Sequence, residues 1–423
     1  MFSELAKARS DSGRLIPRSL EDTVVHAMGE ARAVALLGPR QAGKSTLART
    51  LASGRLPADY LSLDDEATRS LAAGDPQGFV AGLGRRTVID EVQRAPELLL
   101  AVKSRLDRDD TPGQFLLTGS ANLRRIPRVA DALPGRVDYL TLWPFTQGEV
   151  ARRREHFLER LFAGDVPSTS GAPVGRGEYA DALLAGGFPE AVRRSPTSRK
   201  RFFDSYLATI VERDIADTSR VHDPASVGAL VRLLAARSGS IARYDALGRD
   251  AGVDGKTAKA HVDVLERLFL IRIRRSWNVN LGKRQVKVPK LYVADSGLLA
   301  ALVGADARRV REDDGFAGAL FGTFVANELE RQSSWSAEPL SFWHYRASER
   351  EVDVIIERPS GDVVAVEVKA GATVRARDFR GLIALREQLG DRLVNGVVLY
   401  AGERTLPFGE RLWALPLEAL WTP

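Results

Sequence analysis

The first third of the chain alternates short apolar runs with longer stretches of helical periodicity. The apolar runs are 34–37, 60–63, 88–89, 115–117 and 137–140. Glycine, aspartate or threonine flanks these runs, which favours buried strands over buried helices. Strands that alternate with helices at this spacing predict a parallel sheet covered by helices on both faces, so the predicted fold class is α/β.

The pattern changes twice further along the chain. Residues 163–177 are rich in glycine, proline, serine and threonine and predict a linker. Residues 179–305 have mainly helical periodicity, with one basic, β-branched interruption at 271–293. After residue 315 a helix precedes four strands in which apolar and polar positions alternate, which predicts a second region of α/β structure. The predicted domains are 1–150, 178–305 and 306–423.

Composition narrows the classes of function. The chain has 423 residues, of which 44% are hydrophobic and 27% charged, as is typical of a folded protein. The absence of cysteine excludes disulfides, thiolate metal sites and a cysteine nucleophile. No apolar run approaches the ~20 residues that a membrane-spanning helix needs, so we expect a cytoplasmic protein without a membrane partner. The net charge of +6 allows contact with nucleic acid without requiring it.

A glycine-rich segment follows the first apolar run. Residues 38–45 fit the pattern G-x-x-x-x-G-K-[ST], and a helical stretch follows them. Glycine at both ends permits a turn tight enough for backbone N–H groups to surround phosphate oxygens. Lys44 is expected to reach the β- and γ-phosphates of ATP, and the Ser45 hydroxyl to ligate Mg²⁺. The predicted nucleotide contacts are Gly38, Pro39, Arg40, Gln41, Ala42, Gly43, Lys44, Ser45, Thr46 and Ser120.

Two further strands end in polar residues. The run at 88–89 is followed by Asp90 and Glu91, which can place one carboxylate on Mg²⁺ and the other against an attacking water. The run at 115–117 is followed by Thr118 and Ser120, either of which can sense the γ-phosphate. An acidic strand end is by itself often only an exposed loop, and the preceding phosphate-binding loop favours the catalytic interpretation.

These motifs together resemble the AAA-type branch of P-loop ATPases, which insert a polar-tipped strand between the Walker A and Walker B strands. The resemblance implies an arginine finger just before the fifth strand, and Arg136 lies at that place. A finger acts on the nucleotide of a neighbouring subunit, so it implies a homo-oligomer. The alternative is a solvated loop arginine.

The helical middle of the chain resembles a winged helix, in which a recognition helix at 256–269 is followed by a basic β-ribbon. No acidic residue occurs between Leu270 and Ala294. Such a density of positive charge suits phosphate contacts, so we expect nucleic acid, DNA before RNA, as a partner. The alternatives are docking of a protein partner and a solvated charged face. The basic residues concerned are Arg272, Arg274, Arg275, Lys283, Arg284, Lys287 and Lys290.

The C-terminal strands resemble the core of PD-(D/E)XK nucleases, with Asp353 on one strand and Glu367 and Lys369 on the next. Alternation in the hairpin predicts all three on one sheet face, where the two carboxylates can bind Mg²⁺ beside the lysine. Gly322 lies where the resemblance places a further glutamate, and Glu328 is almost two helical turns away. An active nuclease and a metal-poor, nucleic-acid-binding remnant therefore both remain open.

The order of these regions, with the motifs at 186–190 and 289–298, resembles a prokaryotic family of AAA-domain proteins whose C-terminal domain has no known function. We predict an ATP-binding and ATP-hydrolysing enzyme coupled to a module that contacts nucleic acid. Lys44, Glu91 and Arg136 are the predicted catalytic residues. Two alternatives remain: an ATP-gated, Mg²⁺-dependent nuclease, and a non-enzymatic nucleotide switch that docks a protein partner.

Overall fold

A computed structural model describes residues 15–120, 133–167, 176–215, 224–280, 284, 288–347 and 350–422. The chain divides into two compact units. The first unit is Pro17–Pro144 with Arg267–Phe269, and the second contains the remainder, including all but these three residues of the two later predicted domains. Most of the predicted linker and two of the basic residues named above, Lys283 and Lys287, lie outside the described residues.

The first unit contains a five-stranded parallel sheet. Its strands are β1 (Ala33–Leu37), β2 (Asp59–Ser62), β3 (Thr87–Asp90), β4 (Phe115–Gly119) and β5 (Val137–Thr141). Their order is β2-β3-β4-β1-β5, and every neighbouring pair is parallel. Each strand overlaps one of the predicted apolar runs, so the predicted parallel sheet is confirmed. The order also brings the carboxyl ends of β3, β4 and β1 side by side.

Helices of the first unit bury apolar side chains against this sheet. They are α1 (Glu21–Glu30), α2 (Lys44–Ala52), α3 (Glu66–Gly74), α4 (Pro76–Ala81) and α5 (Leu98–Arg108). Asp65 and Asp75 begin α3 and α4, and each accepts a hydrogen bond from the amide three residues later, which satisfies a free N–H group of the first turn. Leu47 of α2 packs with Val34 and Leu36 of β1 in one core cluster. This packing fixes the helix that follows the glycine-rich segment.

The second unit begins with helices and a small antiparallel sheet. Its first helices are α6 (Gln147–Val150), α7 (Phe157–Phe162), α8 (Arg176–Ala185), α9 (Pro189–Arg193), α10 (Pro196–Thr209), α11 (Pro224–Ala236), α12 (Tyr244–Ala251) and α13 (Gly255–Arg267). The sheet consists of β6 (Ser240–Ile241), β7 (Ile271–Arg274) and β8 (Lys290–Val293) in the order β6-β8-β7. β6 lies between α11 and α12 in the chain, and α13 leads directly into β7.

The rest of the second unit is a mixed sheet with helices. The helices are α14 (Ser296–Leu302), α15 (Ala307–Glu312), α16 (Asp314–Gln332) and α17 (Arg380–Leu389). The strands are β9 (Ser341–Ala347), β10 (Arg350–Glu357), β11 (Val363–Lys369), β12 (Leu393–Tyr400), β13 (Leu406–Pro407) and β14 (Leu412–Pro416), in the order β13-β14-β12-β11-β10-β9. The four predicted strands are present, whereas β13 and β14 were not predicted. Within the described part of the chain, every helix is too short or too polar to cross a bilayer.

Candidate functional site

The segment between β1 and α2 has the backbone of a phosphate-binding loop. Gly38 and Gly43 have φ angles of 151° and 97°, which side chains other than glycine rarely adopt. A Cβ on Gly38 would also lie 2.1 Å from the carbonyl oxygen of Leu142. The loop ends at the amino terminus of α2, where free N–H groups and the helix dipole favour an anion. Both glycines of the motif are thus required by backbone geometry.

Lys44 is buried inside this loop, with 4% of its surface exposed. Its Nζ donates hydrogen bonds to the carbonyl oxygens of Gly38 at 3.0 Å and Pro39 at 2.8 Å. Burial lowers the pKa of Lys44 to about 8, although the charges of Glu91 and Asp90 oppose the shift. The side chain therefore stays mainly protonated at neutral pH and places a positive charge at the loop.

Asp90, at the end of β3, is the acceptor for three hydroxyl groups and is 2% exposed. Its Oδ1 accepts from Ser45 Oγ at 2.9 Å and from Thr118 Oγ1, and its Oδ2 accepts from the Tyr60 hydroxyl at 2.6 Å. Burial, together with this hydrogen bond, raises the pKa of Tyr60 to about 12, so the phenol remains a donor. The structure thus brings together the predicted metal ligands Ser45 and Asp90, and adds Tyr60.

Glu91 follows Asp90 with a φ of 59° and starts a short 3₁₀ turn. Its carboxylate accepts hydrogen bonds from Gln93 Nε2 and from Ser120 Oγ, the latter at 3.4 Å. The backbone N–H of Glu91 donates to Thr118 Oγ1 at 3.1 Å. Glu91, which was predicted to lie against the attacking water, is therefore beside both predicted sensor residues. Gln93 was not predicted, because a glutamine in a loop has no distinctive sequence pattern.

The other predicted nucleotide contacts of the first unit differ in how exposed they are. Gln41 and Thr46 are exposed, and Ala42 is buried. Arg18, which was not predicted, donates to the carbonyl oxygens of Ala42 at 2.8 Å and of Trp143 at 2.6 Å, so it braces the loop.

Arg136, the predicted arginine finger, is paired within its own chain. Its guanidinium forms an ion pair with Asp107 and donates to the Pro134 carbonyl at 3.0 Å. The side chain is 30% exposed. Action on a neighbouring subunit would require this exposed pair to separate, which costs little for a surface ion pair.

The C-terminal residues predicted as a metal site also lie together. The register of β10 and β11 pairs Val354 with Val366, which places Asp353 opposite Glu367. Lys369 Nζ donates to Glu367 Oε1 at 2.7 Å. A cavity of about 420 Å³ opens over this face and is lined by Arg350, Glu351, Asp353, Glu367, Lys369, Arg377, Asp378, Arg380 and Gly381.

The basic ribbon is largely neutralised by carboxylates of the second unit. Arg274 is 3% exposed and contacts Glu330 at 3.2 Å. Arg284 is 6% exposed and forms two hydrogen bonds to Glu357, at 2.6 and 3.0 Å. Lys290 is 4% exposed and pairs with acidic residues of β10. The prediction that these three residues contact phosphates is therefore wrong, because buried and paired cations cannot reach a polyanion.

The chain just after β7 is built into the C-terminal sheet. The backbone N–H of Trp277 donates to the His344 carbonyl at 2.6 Å, and the His344 N–H donates to the Arg275 carbonyl at 2.9 Å. The Trp277 side chain is fully buried in the core of that sheet, beside Val352 and Leu382. This segment therefore packs into the core of the C-terminal sheet.

The sequence motifs at 186–190 and 289–298 meet at Arg331. Arg331 donates to Asp295 Oδ2 at 2.9 Å and to Glu328 Oε1 at 3.2 Å. Asp295 also accepts from the Gly187 N–H at 2.8 Å, and Glu328 accepts from the Gln147 N–H at 2.9 Å. Burial raises the pKa of Glu328 to about 7. These contacts assign Glu328 to a buried structural network.

Family models match three successive parts of the chain. Residues 30–151 match an AAA domain. Residues 176–309 and 317–420 match two domains of unknown function, DUF8612 and DUF4143. Among curated proteins, uncharacterized proteins from Mycobacterium tuberculosis and Mycobacterium bovis are each 29% identical over 94% of this chain and 82% of their own length.

Similar solved structures include a RuvB variant from Thermotoga maritima and PCH-2 from C. elegans. The first is 20% identical, covers 60% of this chain and 85% of its own, and has a TM-score of 0.28. The second is 13% identical, covers 62% of this chain and 67% of its own, and has a TM-score of 0.24. Scores this low carry no structural argument. The match of residues 30–151 to the AAA-domain model confirms the AAA-type prediction, whereas the models that match the rest of the chain have no assigned function.

Proposed function

We propose that the first unit binds ATP at the glycine-rich loop and hydrolyses it to ADP and phosphate. One observation carries this proposal: Lys44, Ser45, Asp90 and Glu91 converge at the carboxyl edge of the sheet. Open α/β sheets bind ligands at this edge. The loop amides and Lys44 would hold the β- and γ-phosphates.

The oxygen donors of the site fit Mg²⁺. Ser45 Oγ lies 2.9 Å from Asp90 Oδ1, and a hydroxyl with a carboxylate is the kind of ligand set that Mg²⁺ takes alongside phosphate oxygens. When bound, Mg²⁺ would neutralise charge on the β- and γ-phosphates. The hydroxyls of Tyr60 and Thr118 fix the orientation of the Asp90 carboxylate.

Glu91 would orient the water that attacks the γ-phosphorus. In this step the new P–O bond forms to water while the bond to the β–γ bridging oxygen breaks. Gln93 and Ser120 hold the Glu91 carboxylate, so these hydrogen bonds must rearrange when the carboxylate turns toward water. Arg136 of a neighbouring copy would add positive charge to the transition state, which makes a homo-oligomer part of the proposal.

We further propose that nucleic acid contacts the second unit through α13. Two features of this region support the winged-helix interpretation. The elements follow one another as α11, β6, α12, α13, β7 and β8, and the strands pair in the order β6-β8-β7. Lys256 and Lys259 lie exposed on α13, where they can reach phosphates. The alternative, a nucleotide switch that docks a protein partner, would use the same exposed surface.

Calorimetric titration with ATP in the presence of Mg²⁺ tests the nucleotide site. The wild-type protein should bind ATP, and Lys44→Ala should lose about 100-fold or more in affinity, since a buried cation that contacts phosphates is removed. Lys103→Ala, a lysine of α5 in the same unit, serves as the control and should bind normally. Equal affinity of wild type and Lys44→Ala would reject the site.

A further inference from the structure

Lys290 places its ammonium group among the carboxylates of the C-terminal cavity. Its Nζ lies 3.1 Å from Asp353 Oδ1 and contacts the Glu351 carboxylate. The lysine side chain is only 4% exposed. A buried ammonium is strongly unfavourable without anionic partners, so these two carboxylates are needed to keep it there.

The backbone of Lys290 is paired with a neighbouring strand on each side, so the position of its side chain is set by the sheet. Lys290 pairs with Ile241 of β6 and with Arg274 of β7. It is therefore the first residue of a central strand in a three-stranded sheet. Regular strand pairing therefore holds the ammonium against the carboxylates of Glu351 and Asp353.

The remaining carboxylate of the predicted metal site also has a cation. Lys369 Nζ donates to Glu367 Oε1 at 2.7 Å, and the second oxygen of Asp353 accepts from the Val368 N–H at 3.1 Å. Asp353 and Glu367 are thus both bound to lysines of the chain.

The nuclease resemblance implies Mg²⁺ at this place, and the residues present do not fit it. Mg²⁺ needs oxygen ligands that are free to take up near-octahedral geometry, whereas one Asp353 oxygen accepts from Lys290 and the other from the Val368 N–H. The helix α16 contributes Gly322 where the resemblance expects a carboxylate. A Cβ at Gly322 would meet no atom within 4 Å, so packing does not require the glycine.

We propose that Lys290, buried against two carboxylates that line this cavity, closes the cavity to divalent metal ions. The ammonium supplies the positive charge that a metal would supply elsewhere, and it joins β8 to β10. Whatever the cavity binds is then bound without a metal. This inference is independent of ATP hydrolysis in the first unit.

Electron paramagnetic resonance can test the proposal by measuring how many Mn²⁺ ions the 423-residue chain binds in the absence of nucleotide. Wild type and Asp353→Asn should bind the same number of Mn²⁺ ions. Lys290→Met should bind one Mn²⁺ ion more than the wild type does. Adding Asp353→Asn to Lys290→Met should abolish the gain.

Two results would overturn the proposal. One is a wild-type Mn²⁺ site that Asp353→Asn removes, since the cavity would then already be open to metal. The other is a folded Lys290→Met protein that gains no ion. Circular dichroism checks folding, and Lys290→Gln replaces Lys290→Met if the latter does not fold. The comparison of wild type with Asp353→Asn needs no change at Lys290, and circular dichroism checks this variant as well, because it leaves the ammonium with Glu351 as its carboxylate partner.

Discussion

Two aspartates that look alike in the sequence have different electrostatic surroundings in the structure. Asp90 and Asp353 each lie on a strand of an α/β region, and each was predicted to bind Mg²⁺. Asp90 accepts hydrogen bonds from the hydroxyls of Ser45, Tyr60 and Thr118. Asp353 accepts from the Lys290 ammonium and from a backbone amide.

The difference decides which aspartate can serve a metal ion. Hydroxyl groups orient a carboxylate without forming an ion pair with it, so its oxygens can still attract a metal cation. An ammonium at hydrogen-bond distance compensates that charge and repels a second cation. The identity of the donor therefore distinguishes a candidate catalytic carboxylate from one engaged in an internal ion pair.

The largest expected effect separates the two aspartates directly. Asp90→Asn should lower the ATPase rate by about 1,000-fold, because it removes several kcal/mol of metal-dependent stabilisation from the transition state. Asp353→Asn should leave the rate within about twofold, since it lies outside the proposed site. Steady-state phosphate release measures both. Equal losses in the two variants would remove the distinction.

Glu91→Gln should lower the rate by about 100-fold while ATP still binds, because water is no longer oriented by a carboxylate. Glu367→Gln, at the C-terminal cavity, is the matched control and should hydrolyse ATP normally. Single-turnover hydrolysis together with calorimetric ATP affinity separates chemistry from binding. A wild-type rate in Glu91→Gln would deny Glu91 its proposed role.

Tyr60→Phe tests whether the hydroxyl groups around Asp90 matter. Removing the phenolic hydroxyl should raise the Mg²⁺ concentration for half-maximal ATPase by about fivefold, which corresponds to one hydrogen bond of about 1 kcal/mol. The maximal rate should change less than the Mg²⁺ dependence. Tyr139→Phe, on β5 at the other edge of the same sheet, should leave the Mg²⁺ dependence unaltered. An identical Mg²⁺ curve for Tyr60→Phe would assign Tyr60 to packing alone.

The smallest expected effect concerns cations instead of carboxylates. If α13 contacts DNA, Lys256→Ala/Lys259→Ala should reduce the slope of log affinity against log salt by about 2, or about 1 for each lost phosphate contact. Arg274→Ala should not change this slope, because Arg274 is buried against Glu330. Fluorescence anisotropy over a salt series measures the slopes. If the chain does not bind DNA but binds another protein when ATP is present, the partner-docking alternative is favoured.

The sequence determined the first sheet and most of its site because both depend on local patterns. Its apolar runs of two to four residues alternate with helical stretches, which is the pattern of a parallel sheet covered by helices. The loop from Gly38 to Ser45 needs its glycines for their local φ angles, and the close approach of the Leu142 carbonyl to Gly38 adds a tertiary reason. The strands β13 and β14 were not predicted, because no helix separates them from each other or from β12 and the alternation of strands with helices is therefore missing there.

Tertiary structure alone decided which charges meet. Lys290 and Asp353 are 63 residues apart in the chain, and Arg284 and Glu357 are 73 apart. An ion pair leaves no pattern in the sequence, since the residues that a strand or helix brings together have no fixed spacing. The basic ribbon therefore looked like a surface for phosphates, but in the folded chain two of its cations are buried against carboxylates of β10.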